Sequence, residues 1–193
     1  MRKYLLAVWV VLLLGAWAYH EGPGQDRLKL DDIDTQLCEA HDAVGQEQWG
    51  EVVEKYAAAL DRLPEDQRAA AYRVRLELAK ARMQASQLPK AREELAELVQ
   101  DLQSDKAADP ALPREARAAL ASSQYYMTWL MRLEGQPEEV WGPEIEAARQ
   151  TYRLLAEGAS GGAKEKHTKD LEAAVRLARM DLGELQGLPL PSQ

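Results

Sequence analysis

The chain has no phenylalanine and no asparagine. Without asparagine it offers no acceptor for N-linked glycosylation. Isoleucine occurs only at Ile33 and Ile145, so side chains that favour strands are scarce. No segment sustains apolar–polar alternation, and nothing in the sequence supports a sheet. Cys38 is the single cysteine. An internal disulfide is therefore impossible and the fold rests on its core. No glycine-rich phosphate loop, Gly-x-Ser-x-Gly elbow or His-Glu-x-x-His motif is present. Of the three histidines, His20, His41 and His167, only His41 lies near the cysteine. Two ligands do not make a zinc site, so no metal and no cofactor is expected. Neighbouring carboxylates such as Glu93-Glu94 and Glu138-Glu139 diverge on a helix and select no catalytic pair. These absences point away from an enzyme.

What remains is a helical composition. Ala, Leu, Glu, Gln and Arg dominate, all strong helix formers. The 193 residues carry 32 acids and 24 bases, a net charge of −8. A general nucleic-acid binder would be basic, so that class is excluded as a partner.

The first twenty residues read as an address. Arg2 and Lys3 precede an unbroken apolar run from Leu5 to Ala18, and Ala16-Trp17-Ala18 has the small-x-small form of a cleavage site. Residues 1–20 therefore read as a secretory signal peptide or, if uncleaved, an N-terminal membrane anchor touching the bilayer through residues 4–19. Both place the rest of the chain outside the cytoplasm. Low Lys with abundant Ala and Arg suggests a high-GC bacterium, hence the periplasm or the outer face of the inner membrane. Cleavage after residue 18 removes two bases and no acid, leaving a charge of −10. Residues 21–30 (EGPGQDRLKL) read as a tether.

From Asp31 the apolar residues recur at helical spacing. The first segment carries Ile33, Leu37, Ala40, His41 and Val44 and ends at Gly45. The second carries Val52, Val53, Tyr56, Ala59 and Leu60 up to Pro64, and the third Ala69, Tyr72, Leu76, Ala79 and Met83. Pro89 opens the fourth, Pro113 the fifth and Pro143 the sixth. The seventh follows a GASGG connector and runs through Leu182 and Leu185 to a tail over 186–193. Short turns pair these as antiparallel hairpins, with the seventh left over. The second members align as Val52-x3-Tyr56-x2-Ala59, Ala91-x3-Leu95-x2-Leu98 and Ala148-x3-Tyr152-x2-Leu155, at offsets of 39 and 57 residues.

This pattern resembles the tetratricopeptide repeat. Residues 33–64 match best, through Ala40, Gly45, Tyr56, Ala59 and Pro64. Residues 72–103 match through Ala79, Ala91, Leu95 and Leu98, and residues 113–157 only in their second helix. The Trp and Leu-Gly usual in the first helix are missing. The resemblance implies an all-α domain over 31–185: antiparallel hairpins stacked as a short right-handed solenoid, with a C-terminal capping helix. It also implies peptide or protein binding on a concave face. An irregular helical bundle is the alternative fold.

Charge is unevenly spread. Residues 31–61 hold nine acids and one base, and residues 68–92 seven bases and one acid. Arg68, Arg75 and Arg82, seven apart, line one edge of the third segment and form a candidate strip for an acidic peptide or a C-terminal carboxylate. The competing expectation is ion pairing with the acidic first unit. The fifth segment is uncharged from Ala118 to Met131. Leu120, Met127 and Leu130 share one face, Tyr125 and Trp129 the opposite one. Burial between hairpins is one expectation. The other makes Tyr125, Trp129 and Arg132 partner anchors, since aromatic and Arg side chains dominate binding hot spots. The functional expectation is an exported or membrane-tethered interaction scaffold of the cell envelope. A helical-bundle ligand carrier or enzyme of unknown reaction is the alternative.

Overall fold

The computed structural model describes residues 25–186. The leader or anchor expected over 1–20 and all but the first residue of the expected tail lie outside the described residues. Among the described residues eight helices follow in order: α1 (Gln25–Gly45), α2 (Trp49–Arg62), α3 (Arg68–Gln84), α4 (Leu88–Ser104), α5 (Leu112–Leu133), α6 (Glu138–Glu157), α7 (Gly161–Arg179) and α8 (Leu182–Gln186). Among the described residues there is no strand, and no helix is long and apolar enough to cross a membrane. The expected all-α arrangement of consecutively packed hairpins is the observed one. From α1 to α7, each helix packs on its neighbours in sequence.

Three segment boundaries differ from expectation. Helix α1 already begins at Gln25, inside the stretch read as a tether. Helix α6 begins at Glu138, and Pro143 lies inside it rather than at its start. The exposed glutamates Glu138 and Glu139 in its first turn complement the helix dipole. Pro143 is exposed, so the carbonyl it leaves without an N–H partner can meet water. The seventh segment does not run through to Leu185. It stops at Met180, whose ψ of 146° is extended. A capping box then starts α8: the Glu184 N–H donates to Asp181 Oδ1 at 2.7 Å, and the Asp181 N–H donates to Glu184 Oε2 at 3.1 Å.

Three connections repeat one structure. The N–H groups of Gln48, Gln87 and Gln136 donate to the carbonyls of Ala43, Arg82 and Met131 at 3.1, 2.9 and 2.9 Å. The residue before each glutamine, Glu47, Ser86 or Gly135, has φ of 56°, 60° or 74°. A left-handed residue with this reach-back bond is the Schellman closure of a helix. It recurs after 39 residues and then after 49. The side-chain motif recurs after 39 and 57. The difference of eight residues shows that the third motif sits about two turns deeper in the longer α6.

All nine motif residues are buried, from Val52 to Leu155. All but Ala59 and Ala91 belong to three cores that share helices. The first joins Ala40, Ala43, Val52 and Tyr56 to Val74, Leu78 and Ala81 of α3. The second joins Leu76 and Ala79 of α3 to Leu95, Leu98 and Leu102 of α4 and Leu112 and Ala116 of α5. The third joins Ala121 and Trp129 of α5 to Ile145, Ala148, Tyr152, Leu177 and Leu185. Thus α3 and α5 each serve two cores. The single stripe expected on α3 captured Leu76 and Ala79 but missed Val74, Leu78 and Ala81. A helix in the interior of a stack is buried on two faces, and its apolar residues no longer form one stripe. On α1, His41 falls on the exposed side, not on the buried stripe, and Cys38 is exposed too.

Candidate functional site

Two of the three strip arginines are paired within their own hairpin. Arg75 pairs with Asp101 at 2.6 Å, and Arg82 pairs with Glu94. The two acids on α4 are seven residues apart, as are the two arginines on α3, so the antiparallel helices zip together in register. Arg73 pairs with Asp109 at 2.8 Å and Lys80 with Glu77 at 2.8 Å. Arg82 is buried, and its Nε has no hydrogen-bond partner. Arg68 alone of the strip is exposed without an ion pair among the described residues. Two of the three strip arginines thus lock α3 to α4. Their partners lie on α4, not on the acidic first hairpin. That hairpin uses Lys55 internally, against Glu39 at 2.6 Å and Glu51 at 3.4 Å.

The expected aromatic anchors are largely enclosed. Trp129 is only 8% exposed and sits in the third core, while Leu130 beside it is 39% exposed. The polar face of α5 goes inward: Ser123, Gln124 and Thr128 are buried. Ser123 Oγ donates to the Leu120 carbonyl at 2.7 Å and Thr128 Oγ1 to the Gln124 carbonyl at 2.9 Å. Small hydroxyls that satisfy themselves on their own helix permit close approach at little polar cost. Tyr125 is half-buried against the same core and meets Tyr126 edge-on, with ring centroids 5.5 Å apart. Arg132 is a clamp. Its guanidinium donates to the carbonyls of Leu177 and Met180 and lies 4.8 Å from the Trp141 ring centre. It thereby serves orphan carbonyls at the end of α7. The six expected residues do not come together in one site.

A different set does. Helices α3, α5 and α7 line a groove of about 580 Å³. Helix α3 contributes Lys80, Met83 and Gln84 to one wall. Helix α7 contributes Lys166, His167 and Asp170. Between them α5 presents Glu115, Ala118, Ala119, Ser122 and Tyr126, and Tyr152 of α6 reaches the floor. The small residues of α5 leave the space that larger ones would fill. Burial pushes the Tyr152 phenol well above its usual value; nearby Asp170 adds to this, and a hydrogen bond with Ser122 opposes it. Burial likewise raises Tyr126, with Tyr125 and Asp170 adding. Both phenols are thus neutral hydroxyls at physiological pH. His167 Nδ1 is buried without a hydrogen bond, 3.6 Å from Asp170.

The groove therefore offers two lysines on opposite walls, two acids and neutral hydroxyls. That mixture suits polar recognition of a chain segment. Sequence reasoning placed Tyr152 in the repeat motif and named His167 only as one of three histidines; it gave no site role to Lys80, Lys166 or Asp170. The available signal was the small-residue cluster Ala118, Ala119 and Ser122 on one face of an otherwise bulky helix. Among the described residues no cluster of three or more His, Cys, Asp or Glu could hold a metal. Comparison with known protein families and with characterised proteins gave no match.

Proposed function

We propose that the protein is an exported or membrane-tethered interaction scaffold that binds a peptide or partner protein in the cell envelope. The resemblance to tetratricopeptide repeats supports this reading, because the first helices of such units line the concave face. The first helices here are α1, α3 and α5, and the groove is lined by α3 and α5 together with the capping helix α7. The single observation that carries the proposal is the groove that α3, α5 and α7 share, with Lys80 and Lys166 on facing walls. Its open form, with polar and apolar surface mixed, suits a chain segment better than a small enclosed ligand.

The test compares capture of envelope proteins by the full chain and by a Lys80→Glu/Lys166→Glu variant. Both side chains lie on the groove wall and neither belongs to a core, so the variant is expected to keep the helical circular dichroism of the parent. Partners bound in the groove are recovered with the parent and lost with the variant. Recovery of the same partners by both would refute the groove as the binding surface.

A further inference from the structure

On the other side of α5 lies a second groove, of about 640 Å³. Glu115, Ala119, Ser122 and Tyr126 face the first groove, whereas Arg114, Arg117 and Leu120 face this one, roughly half a helical turn away. Its walls are α4 and α6. Those helices are tied near their N-terminal ends by Arg92, which holds Glu144 through two hydrogen bonds of 2.5 and 3.2 Å. Two turns further along the same faces come Val99 on α4 and Thr151 on α6. There the ion pair gives way to the groove. Gly158, Ala159 and Ala163 at the α6–α7 turn have little side chain to fill it.

Two properties separate this groove from the rest of the surface. First, it contains no acidic residue, in a chain with 32 of them. Arg114 and Arg117 are both exposed, and neither forms an ion pair among the described residues. Arg73, Arg75, Arg82 and Arg92 each have a carboxylate partner, whereas Arg68, Arg153, Arg176 and Arg179 share the unpaired state among the described residues; this groove combines unpaired arginines with an acid-free lining. Second, its wall carries Leu154, 68% exposed and the most exposed large apolar side chain described. Val99, Leu120 and Leu155 continue that apolar surface inward.

We propose that this groove binds an acidic protein segment that carries an aliphatic residue beside its carboxylates. The unpaired arginines take the carboxylates, and Leu154 with the apolar floor takes the aliphatic side chain. The distances set a spacing. Arg114 and Leu120 are separated by about 9 Å of helix rise, which an extended segment crosses in about three residues. The recognised pattern is thus a carboxylate two or three residues from a Leu-like side chain. The two grooves lie on different faces of α5 and meet at His167 of α7, which lines both; the arginines and Leu154 used here belong to this groove alone.

The test uses the full chain and a fluorescein-labelled nonapeptide of three Glu-Ser-Leu units, read by fluorescence anisotropy. Peptides of Glu-Ser-Ser and Lys-Ser-Leu units are the controls. The Glu-Ser-Leu peptide is expected to bind, and the other two to bind more weakly. Arg114→Glu/Arg117→Glu should lower its affinity about tenfold or more, since two attractive charges become repulsive. Leu154→Ser should lower it about fivefold, by loss of part of an aliphatic contact. Lys80→Glu/Lys166→Glu should leave it unchanged, which separates failure here from failure of the first groove. All replaced side chains are exposed or line open grooves, and unaltered thermal unfolding will confirm the folds. No binding at millimolar peptide, or equal affinity of the charge-reversed variant, overturns the proposal. So does equally tight binding of the Glu-Ser-Ser peptide. So too does Arg114- and Arg117-dependent self-association, or attachment to phosphatidylglycerol vesicles, if the peptide itself does not bind.

Discussion

The contact between α3 and α4 and the contact among α5, α6 and α7 solve one packing problem with opposite chemistry. The first is framed by charge: Arg75–Asp101 and Arg82–Glu94 flank the leucines of the second core. The second is built from close approach. Ala121, Ala148 and Ala174 are fully buried at its centre, and Trp129 and Tyr152 fill the remaining volume. Its one prominent cation, Arg132, serves backbone carbonyls and an aromatic ring rather than a carboxylate. Charge pairs fix register, because a slip by one turn sets arginine against leucine. Close-packed small residues fix distance, because any larger side chain forces the helices apart. The second device appears where α5, uncharged from Ala118 to Met131, supplies one side of the contact.

The largest test of this contrast is Trp129→Ala, which should destabilise the chain by about 3–5 kcal/mol through the cavity it leaves. Urea unfolding measures it, and a loss below about 1 kcal/mol would place Trp129 outside the core. Arg82→Ala should cost about 3 kcal/mol, because Glu94 is left partly buried without its partner. Replacing both Arg82 and Glu94 by Ala should restore part of that loss. Additive effects would mean that the two side chains do not act as a pair.

Tyr152→Phe should matter most in alkali. Its phenol titrates above the ordinary 10.0 in the fold. The folded state therefore holds a proton that the unfolded state releases near pH 10, and stability falls as pH rises beyond that point. The variant should show a shallower fall between pH 10 and 11. An identical alkaline slope would rule Tyr152 out as the source. Smallest is Arg75→Ala, expected to cost about 0.5 kcal/mol because the pair with Asp101 is half-exposed. That loss should shrink at about 1 M salt, where screening reaches within a few Å.

The helices were readable from the sequence because turn residues and apolar spacing are local signals. The motif positions in α2, α4 and α6 were readable for the same reason: each presents one stripe to the interior. Helix α3 was harder, since Val74 and Leu78 face one core and Leu76 and Ala79 another. The inward turn of Ser123 and Thr128 was hidden because hydropathy ranks a hydroxyl by its polarity and ignores that its own helix can satisfy it. The partners of Arg75 and Arg82 were not readable, because a heptad of bases has meaning only against the facing helix. Glu94 and Asp101 at the same spacing held that information. The polar groove depends on α3, α5 and α7 meeting across more than 80 residues of chain, and no local pattern encodes that juxtaposition.

The sequential packing of the helices has a kinetic consequence. Nearly every close contact joins an element to the one before or after it. Loop closure then costs little entropy at each step, and chains with such local topology fold quickly. Each hairpin can form before the next has been reached, so order can propagate along the chain from whichever unit nucleates first. The shared helices α3 and α5 are the points where that propagation passes from one core to the next.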